Sequence, residues 1–218
     1  MRSAVILAGG ASRRLGAEKS LLLFDGKPLL CWTVERLSSV VDEIVVVARD
    51  EEQSRRLEEV LSQFLPVSIK PAMAWDSLPG YGPVAGIAAG LQRARGEFAF
   101  ATACDLPFLS PRVVERLFIT AEEDSGCGGA VPVQANGFFE PLHCVYHREK
   151  MLQACEKAMA AGERRIFAPL QEIGMRHVAV ELLRPLDADL LTVFNLNTRE
   201  DMERAVALWE EKKEKKKL

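Results

Sequence analysis

The sequence predicts an α/β fold with three layers, a mostly parallel sheet covered by helices on both faces. Two observations carry this. Continuous apolar runs, the mark of strands buried on both faces, recur at AVILA (4–8), EIVVVA (43–48) and EFAFATAC (97–104). Segments with helical apolar spacing lie between them, so strand and helix alternate as crossover-connected parallel strands require. The arrangement is Rossmann-like, and ligands of such sheets sit at the carboxyl ends of the strands.

Taken in order, the strand at 4–8 is ended by Gly9 and Gly10. A helix over 27–40 starts with Pro28 at a first helical position. After the strand at 43–48, the amphipathic stretch 51–65 predicts a helix, PVSIKP (66–71) a short strand, and 82–94 a helix with Pro83 in its first turn. The strand at 97–104 runs into Asp105, and Ser110 and Pro111 open a helix over 110–121. The second half is less regular. Residues 128–147 predict two strands joined around Asn136 and Gly137, followed by a helix over 148–162 stopped by Gly162. Strands are expected at 175–183 and 190–197. A last helix over 198–217 is capped by Thr198, with Asp201 completing a capping box and a solvated lysine-rich end. No repeat or linker interrupts the chain, which predicts one domain over 1–218.

The composition narrows the function. At 48% hydrophobic and 27% charged residues, the chain is of the soluble globular kind. A net charge of -3 argues against a dedicated nucleic-acid binder. No run approaches the ~20 apolar residues of a membrane span, and the N-terminal apolar run is too short for a signal peptide. Five scattered cysteines form no CxxC pair, so a reducing, cytoplasmic setting is expected.

Candidate chemistry gathers where strands end. ILAGGASRRLGAEKS (6–20) fits neither a Walker A loop nor a dinucleotide fingerprint: Gly10 and Gly16 are too far apart for the first, and a basic loop replaces GxGxxG for the second. Gly9 and Gly10 allow a base or phosphate close to the backbone, and Arg13, Arg14 and Lys19 bring positive charge. A tight turn with solvated basic residues is the competing reading. Asp105, at the end of a buried strand, suits Mg²⁺ over a polyphosphate, or a turn bonding its own backbone. Asp76 suits the adjacent donors of guanine, a ribose hydroxyl or a turn. Gly82, Gly86 and Gly90 permit close approach of ligand or chain. Arg164 and Arg165, beside Gly162, suit an anion or a plain surface. His143, Cys144 and His147 lack a second pair of ligands for zinc, so structural histidines are the better reading.

LAGGASRRLGAEK resembles the signature of the molybdenum cofactor guanylyltransferases, within the nucleotidyltransferases of the glycosyltransferase-A-like, nucleotide-diphospho-sugar transferase-like fold. GPVAGI (82–87), CDLPF (104–108), AGERRI (161–166) and FNLNT (194–198) also resemble family segments, in the family's order, so the resemblance covers nearly the whole chain. It implies transfer of GMP from GTP to the terminal phosphate of molybdopterin or Mo-molybdopterin, with release of pyrophosphate. Leu7, Ala8, Gly9 and Gly10 would lie against the nucleotide, Lys19 and Arg13 on phosphates, Asp76 on guanosine, and Asp105 on Mg²⁺. Gly82, Arg165, Asn195 and Asn197 fall to the acceptor. About 1–110 would form the nucleotide half, about 111–200 the acceptor half and 201–218 the C-terminal helix and tail. Leu7-Ala8-Gly9-Gly10, where related cytidylyl and sugar-nucleotide enzymes more often have Leu-Ala-Ala-Gly, favours guanine. Implied partners are GTP, molybdopterin, molybdopterin-insertion proteins and molybdoenzymes, with no nucleic acid and no membrane.

Two departures stand out. Ala48 replaces a family asparagine that contacts nucleotide, leaving Arg49, Asp50 or backbone to take part of that role, and Arg199 replaces the proline after Asn197-Thr198. The nucleophile would be a phosphate already ionised at neutral pH, which accounts for the lack of any triad or His–carboxylate pair. Another nucleotidyltransferase of this fold, specific for cytidylyl transfer, a cobinamide phosphate or a sugar phosphate, and a non-catalytic GTP-binding module are the alternatives.

Overall fold

The computed structural model describes residues 1–10, 18–76, 78, 81–124 and 126–215. Its strands and helices run β1 (Arg2–Leu7), β2 (Leu23–Phe24), β3 (Lys27–Pro28), α1 (Leu29–Leu37), β4 (Glu43–Ala48), α2 (Glu51–Phe64), β5 (Ala72–Trp75), α3 (Pro83–Arg93) and β6 (Phe98–Ala103). There follow α4 (Pro111–Glu122), β7 (Gly129–Val133), β8 (His143–His147), α5 (Arg148–Ala160), α6 (Phe167–Glu172), β9 (Arg176–Ala179) and α7 (Arg199–Lys215). A seven-stranded sheet in the order β5-β4-β1-β6-β8-β7-β9 spans the molecule. β5, β4, β1 and β6 are parallel to one another; β8 alone runs against both its neighbours, and β9 is again parallel to β7. The mostly parallel α/β expectation holds.

Strand alternation builds the two outer layers. Ala4, Ile6, Ile44, Val46 and Phe100 face a core shared with Leu30 and Val34 of α1, Leu57 and Leu61 of α2 and Val113 and Leu117 of α4. Val5, Val45, Val47, Ala99 and Ala101 face the other way, against Val84, Ile87 and Leu91 of α3 and Met151 and Cys155 of α5. This period-two split explains why the strands read as unbroken apolar runs: both faces are buried. Gly90 brings α3 close to the sheet, since a Cβ there would stand 2.2 Å from Val5 Cγ1 and 2.9 Å from Val47 Cγ2. A third cluster packs Trp209 of α7 against Phe24, Trp32 and Phe108, tying the chain's end to the first βα unit.

The structure corrects four sequence expectations. The third strand is Ala72–Trp75, not 66–71. Pro66 and Pro71 cannot donate to a ladder, and Pro66 instead accepts a turn bond from the Ile69 N–H. The predicted strand at 190–197 pairs with no strand among the described residues. Leu190 turns into the left-handed region (φ 51°), Asp187 Oδ2 accepts from the Thr192 N–H at 2.7 Å, and a 3₁₀ turn over Leu191–Val193 follows. The strand expected over 175–183 ends at Ala179, beyond which Val180–Leu183 coil into another 3₁₀ turn. Pro28 sits one residue before α1, at its N-cap, because it closes the small β2–β3 hairpin over Asp25 and Gly26. The Asn136–Gly137 turn is present, with Gly137 at φ 80° and the Gln134 carbonyl accepting from its N–H, but Pro141 delays β8 until His143.

Candidate functional site

The carboxyl ends of β1, β4, β5 and β6 converge. There the chain encloses a cavity of about 420 Å³ lined by Leu7, Gly9, Gly10, Ala48, Asp76 and Gly82, among others. It opens where the sheet order departs in both directions from β1, the place where α/β sheets bind ligands. Its floor is mostly apolar, with Val47, Pro83, Ala103 and Leu142, and Arg49 and Asp76 supply charge. That combination suits a flat heterocycle with polar edges.

Gly9 lies so close to the next strand that a Cβ would stand 2.9 Å from the Arg49 backbone nitrogen and 3.0 Å from its Cα. A Cβ at Gly10 would meet nothing within 4 Å among the described residues. Ala8 differs from its neighbours: its methyl is buried in the α1–α2 core, its N–H donates to the Val47 carbonyl, and its carbonyl accepts from Gln53. Gly82 caps α3 at φ 108°, a conformation that favours glycine, and packs beside the Arg164 carbonyl.

Asp76 makes a turn and lines the cavity as well. Its Oδ1 accepts from the Leu78 N–H at 2.8 Å, while its backbone N–H donates to the Ala48 carbonyl. Burial raises the pKa of its carboxyl, and the Leu78 N–H offsets part of that rise. Ala48 offers only a methyl, and Asp50 is committed elsewhere: Oδ1 caps α2 at the Gln53 N–H and Oδ2 accepts from Arg49 Nε. After β4, Arg49, whose guanidinium is paired with Asp50, lines the cavity.

Beyond β6, Asp105 is 6% exposed. Lys19 Nζ donates to its Oδ2 and to Asn197 Oδ1, each at 2.7 Å. Asp105 Oδ1 is buried with no hydrogen-bond partner among the described residues. The backbone holds this triangle: the Leu196 N–H donates to the Asp105 carbonyl, and Leu196 is buried among Phe24 and Phe108. One residue on, Asp201 Oδ2 accepts from the N–H groups of Asn197 and Thr198, and the Thr198 hydroxyl accepts from the Asp201 N–H, the capping box that starts α7. These backbone bonds, opposed by burial and aided by the Thr198 hydroxyl and Lys19, lower the Asp201 pKa.

The sequence-predicted residues thus separate into groups. Lys19, Asp105 and Asn197 meet; Leu7, Gly9, Gly10, Asp76 and Gly82 line one cavity. Asn195 is turned to its own backbone, with Nδ2 donating to the Val193 carbonyl at 3.4 Å. Arg165 is 83% exposed and paired with Glu163, whose pKa it lowers to about 2. Arg164 lies nearer, stacked over the Tyr81 ring at 5.4 Å beside Gly82. Arg13 lies outside the described residues. His143 and His147 serve the sheet: His143 is buried against Phe100 and Thr192, and His147 caps α5.

Glu140 and Gln53 escaped the sequence reading. Glu140 sits near enough to Asp105 to feel its charge, and its pKa is raised first by burial. Only its place before Pro141 in the chain marks it. Gln53, in a run of charged residues, carries no signal of its complete burial.

Chemically, the triangle presents hard oxygen donors. It offers one carboxylate oxygen with no partner among the described residues, and a second carboxylate oxygen and an amide oxygen that both accept from the Lys19 ammonium group. Mg²⁺ favours oxygen donors, one or two carboxylates, phosphates and water, so these residues fit it. Among the described residues no cluster of three or more His, Cys, Asp or Glu forms an all-protein metal cage.

The chain matches known proteins over nearly its whole length. The model of the MobA-like NTP transferase domain matches residues 4–193. A probable molybdenum cofactor guanylyltransferase of Methanosarcina mazei is 41% identical over 97% of this chain and 92% of that protein. One of Natronomonas pharaonis is 37% identical over 94% and 96%. The crystal structure of molybdopterin-guanine dinucleotide biosynthesis protein A from Archaeoglobus fulgidus superposes with a TM-score of 0.80 at 32% identity, covering 97% of this chain and all of that one.

Proposed function

The chain belongs to the MobA-like NTP transferase family, and from that premise we propose that it is a nucleotidyltransferase that moves GMP from GTP to the terminal phosphate of molybdopterin. The products are the guanine dinucleotide form of the molybdenum cofactor and pyrophosphate. The observation that supports this best is the Lys19–Asp105–Asn197 triangle, with its orphaned carboxylate oxygen, beside an apolar cavity floored by Leu7 and Gly9.

The base lies on the apolar floor, with the Gly9 and Gly10 backbone against the nucleotide. Asp76 accepts from the adjacent N1–H and N2–H₂ groups of guanine, and Arg49 supplies polar contact where Ala48 supplies none. Asp105 and Asn197 would hold Mg²⁺, which when bound neutralises phosphate charge and polarises the phosphoryl group under attack. Lys19, and Arg13 in the preceding loop, donate to phosphate oxygens. The attacking phosphate is ionised at neutral pH and needs no base, so catalysis rests on alignment and on charge placed before the reaction begins. The acceptor approaches from the side of Gly82, Asn195, Asn197 and Arg165, and Arg164 stands closest to Gly82.

One sheet running through both halves supports a single domain over 1–218, its nucleotide half about 1–110 and acceptor half about 111–200. Among the described residues no helix is long and apolar enough to cross a membrane. Five free, buried thiols support a reducing cytoplasm. Molybdopterin-insertion proteins and molybdoenzymes are the partners this product would meet.

The test is turnover. Purified protein with GTP, Mg²⁺ and molybdopterin should release pyrophosphate and yield a product with the mass of the guanine dinucleotide. Product from CTP in place of GTP would overturn the choice of base, and no product with any nucleotide would overturn the activity.

A further inference from the structure

Gln53 is 1% exposed near the start of α2, beside the buried Ser54 and between the exposed pairs Glu51–Glu52 and Arg55–Arg56. Its side-chain amide touches three parts of the chain. Oε1 accepts from the Arg49 N–H at 2.6 Å, Nε2 donates to the Ala8 carbonyl at 3.2 Å, and Nε2 also donates to Glu18 Oε1. The partners fix the orientation of the amide: reversing it would set donor against donor at Arg49 and oxygen against oxygen at Ala8 and Glu18. Glu18 is held in turn by Arg56 Nη2 at 2.7 Å and by the Ser20 hydroxyl.

Ala8 and Glu18 are the two stems of the glycine-rich loop. Gly9 and Gly10, after the first stem, line the cavity; Lys19, after the second, bridges Asp105 and Asn197. Arg49, the third partner, also lines the cavity. We propose that Gln53 is a positioning residue for nucleotide binding: its one amide clamps both stems of the loop and the end of β4, setting Gly9 and Lys19 at a fixed separation before GTP arrives. The inference rests on the GTP reading of this site. Glutamine is required because the clamp needs an acceptor and two donors in one planar group. Glutamate would place a second carboxylate against Glu18 and the Ala8 carbonyl, and methionine would remove the amide's bonds to the Arg49 N–H, the Ala8 carbonyl and Glu18 together.

The experiment compares the wild type with four variants by GTP·Mg²⁺ titration, thermal unfolding and amide hydrogen exchange of peptides covering 6–21. Gln53→Met and Gln53→Glu should weaken GTP at least tenfold and speed exchange in both stems. Leu57→Ala, one turn along the same helix and also buried, controls for a general loss of stability: it should lower Tm with less than a twofold change in GTP affinity. Glu18→Gln placed in the Gln53→Glu protein rebuilds the donor–acceptor pair between positions 18 and 53 and should recover part of the lost affinity. GTP affinity of Gln53→Met within twofold of wild type would overturn the proposal, as would an equal loss in Leu57→Ala. If the wild type binds no nucleotide, the GTP reading fails, and exchange still decides the clamp: stems that open no faster in Gln53→Met than in Leu57→Ala overturn it.

Discussion

The sheet divides at β6 into two unlike regions. On one side, β5, β4, β1 and β6 are parallel, each followed along the chain by the helix that covers the sheet, and their carboxyl ends line the candidate nucleotide cavity. On the other, β8 is threaded antiparallel between β6 and β7, β9 returns parallel to β7, and 3₁₀ turns carry the chain to α7. The first region builds its site from strand ends, where repeated βα units place backbone and side chains by rule. The second builds from loops that must be held individually, by Asp187 at Thr192, by Glu163 at Arg165, by Asp201 at Asn197. Asp105, at the end of β6, is where the two meet, through Lys19 and Asn197.

The largest expected effect lies at that junction. Asp105→Asn preserves shape but removes the charge facing the orphaned position, and should lower kcat by on the order of a thousandfold or more, read by pyrophosphate release. Activity within tenfold of wild type would break the comparison, since the junction would then not be the reacting centre.

His143 probes the interior of the antiparallel side. Burial lowers its pKa from 6.5 to about 4. The folded protein thus keeps it neutral where the unfolded chain is already protonated, so stability is full above about pH 6.5 and falls as pH drops toward 4. The loss near pH 4 should be on the order of 3 kcal/mol, measured by denaturant unfolding, and His143→Met should flatten that limb. An unchanged acid limb in the variant would show that β8 does not bury its histidine as described.

Gly90→Ala tests the close packing of α3 under the nucleotide region. The added methyl meets Val5 and Val47 side chains, so unfolding free energy should fall by about 1–3 kcal/mol. Next in size, Asp76→Asn should weaken GTP about tenfold and erase a preference for GTP over inosine triphosphate, which lacks the 2-amino donor. Equal loss for both nucleotides would assign Asp76 to the turn at Leu78 rather than to the base. The smallest effect belongs to Arg165→Ala, exposed and already paired with Glu163, which should change the KM for the acceptor less than Arg164→Ala does.

Legibility in the sequence follows the same division. Strands β1, β4 and β6 were evident because burial on both faces leaves unbroken apolar runs, and helix starts were marked by Pro83, Pro111 and Thr198. The loop after β1 and Asp105 after β6 could be brought together before any coordinates, because parallel sheets put such ends on one edge. β5 was misplaced because Ile69 between two prolines imitates a strand, while AMAW, with alanines and a half-exposed tryptophan, does not. The threading of β8 has no local signature, since antiparallel partners are chosen by contacts distant in sequence. Asn195 and Asn197 look alike in FNLNT, yet only Asn197 reaches Lys19; the local bond to Val193 that holds Asn195 depends on a 3₁₀ turn the sequence did not announce. Gln53 is the clearest case of a buried polar residue hidden in a charged run, because its partners come from three separate segments.

The most direct measurement is a calorimetric titration of the purified protein with GTP, CTP, ATP and UTP, each with Mg²⁺. Selective binding of GTP is the result this account predicts, with Mg²⁺ strengthening it in the wild type and not in Asp105→Asn. Preference for another base, or GTP binding indifferent to both Mg²⁺ and Asp105, would contradict it.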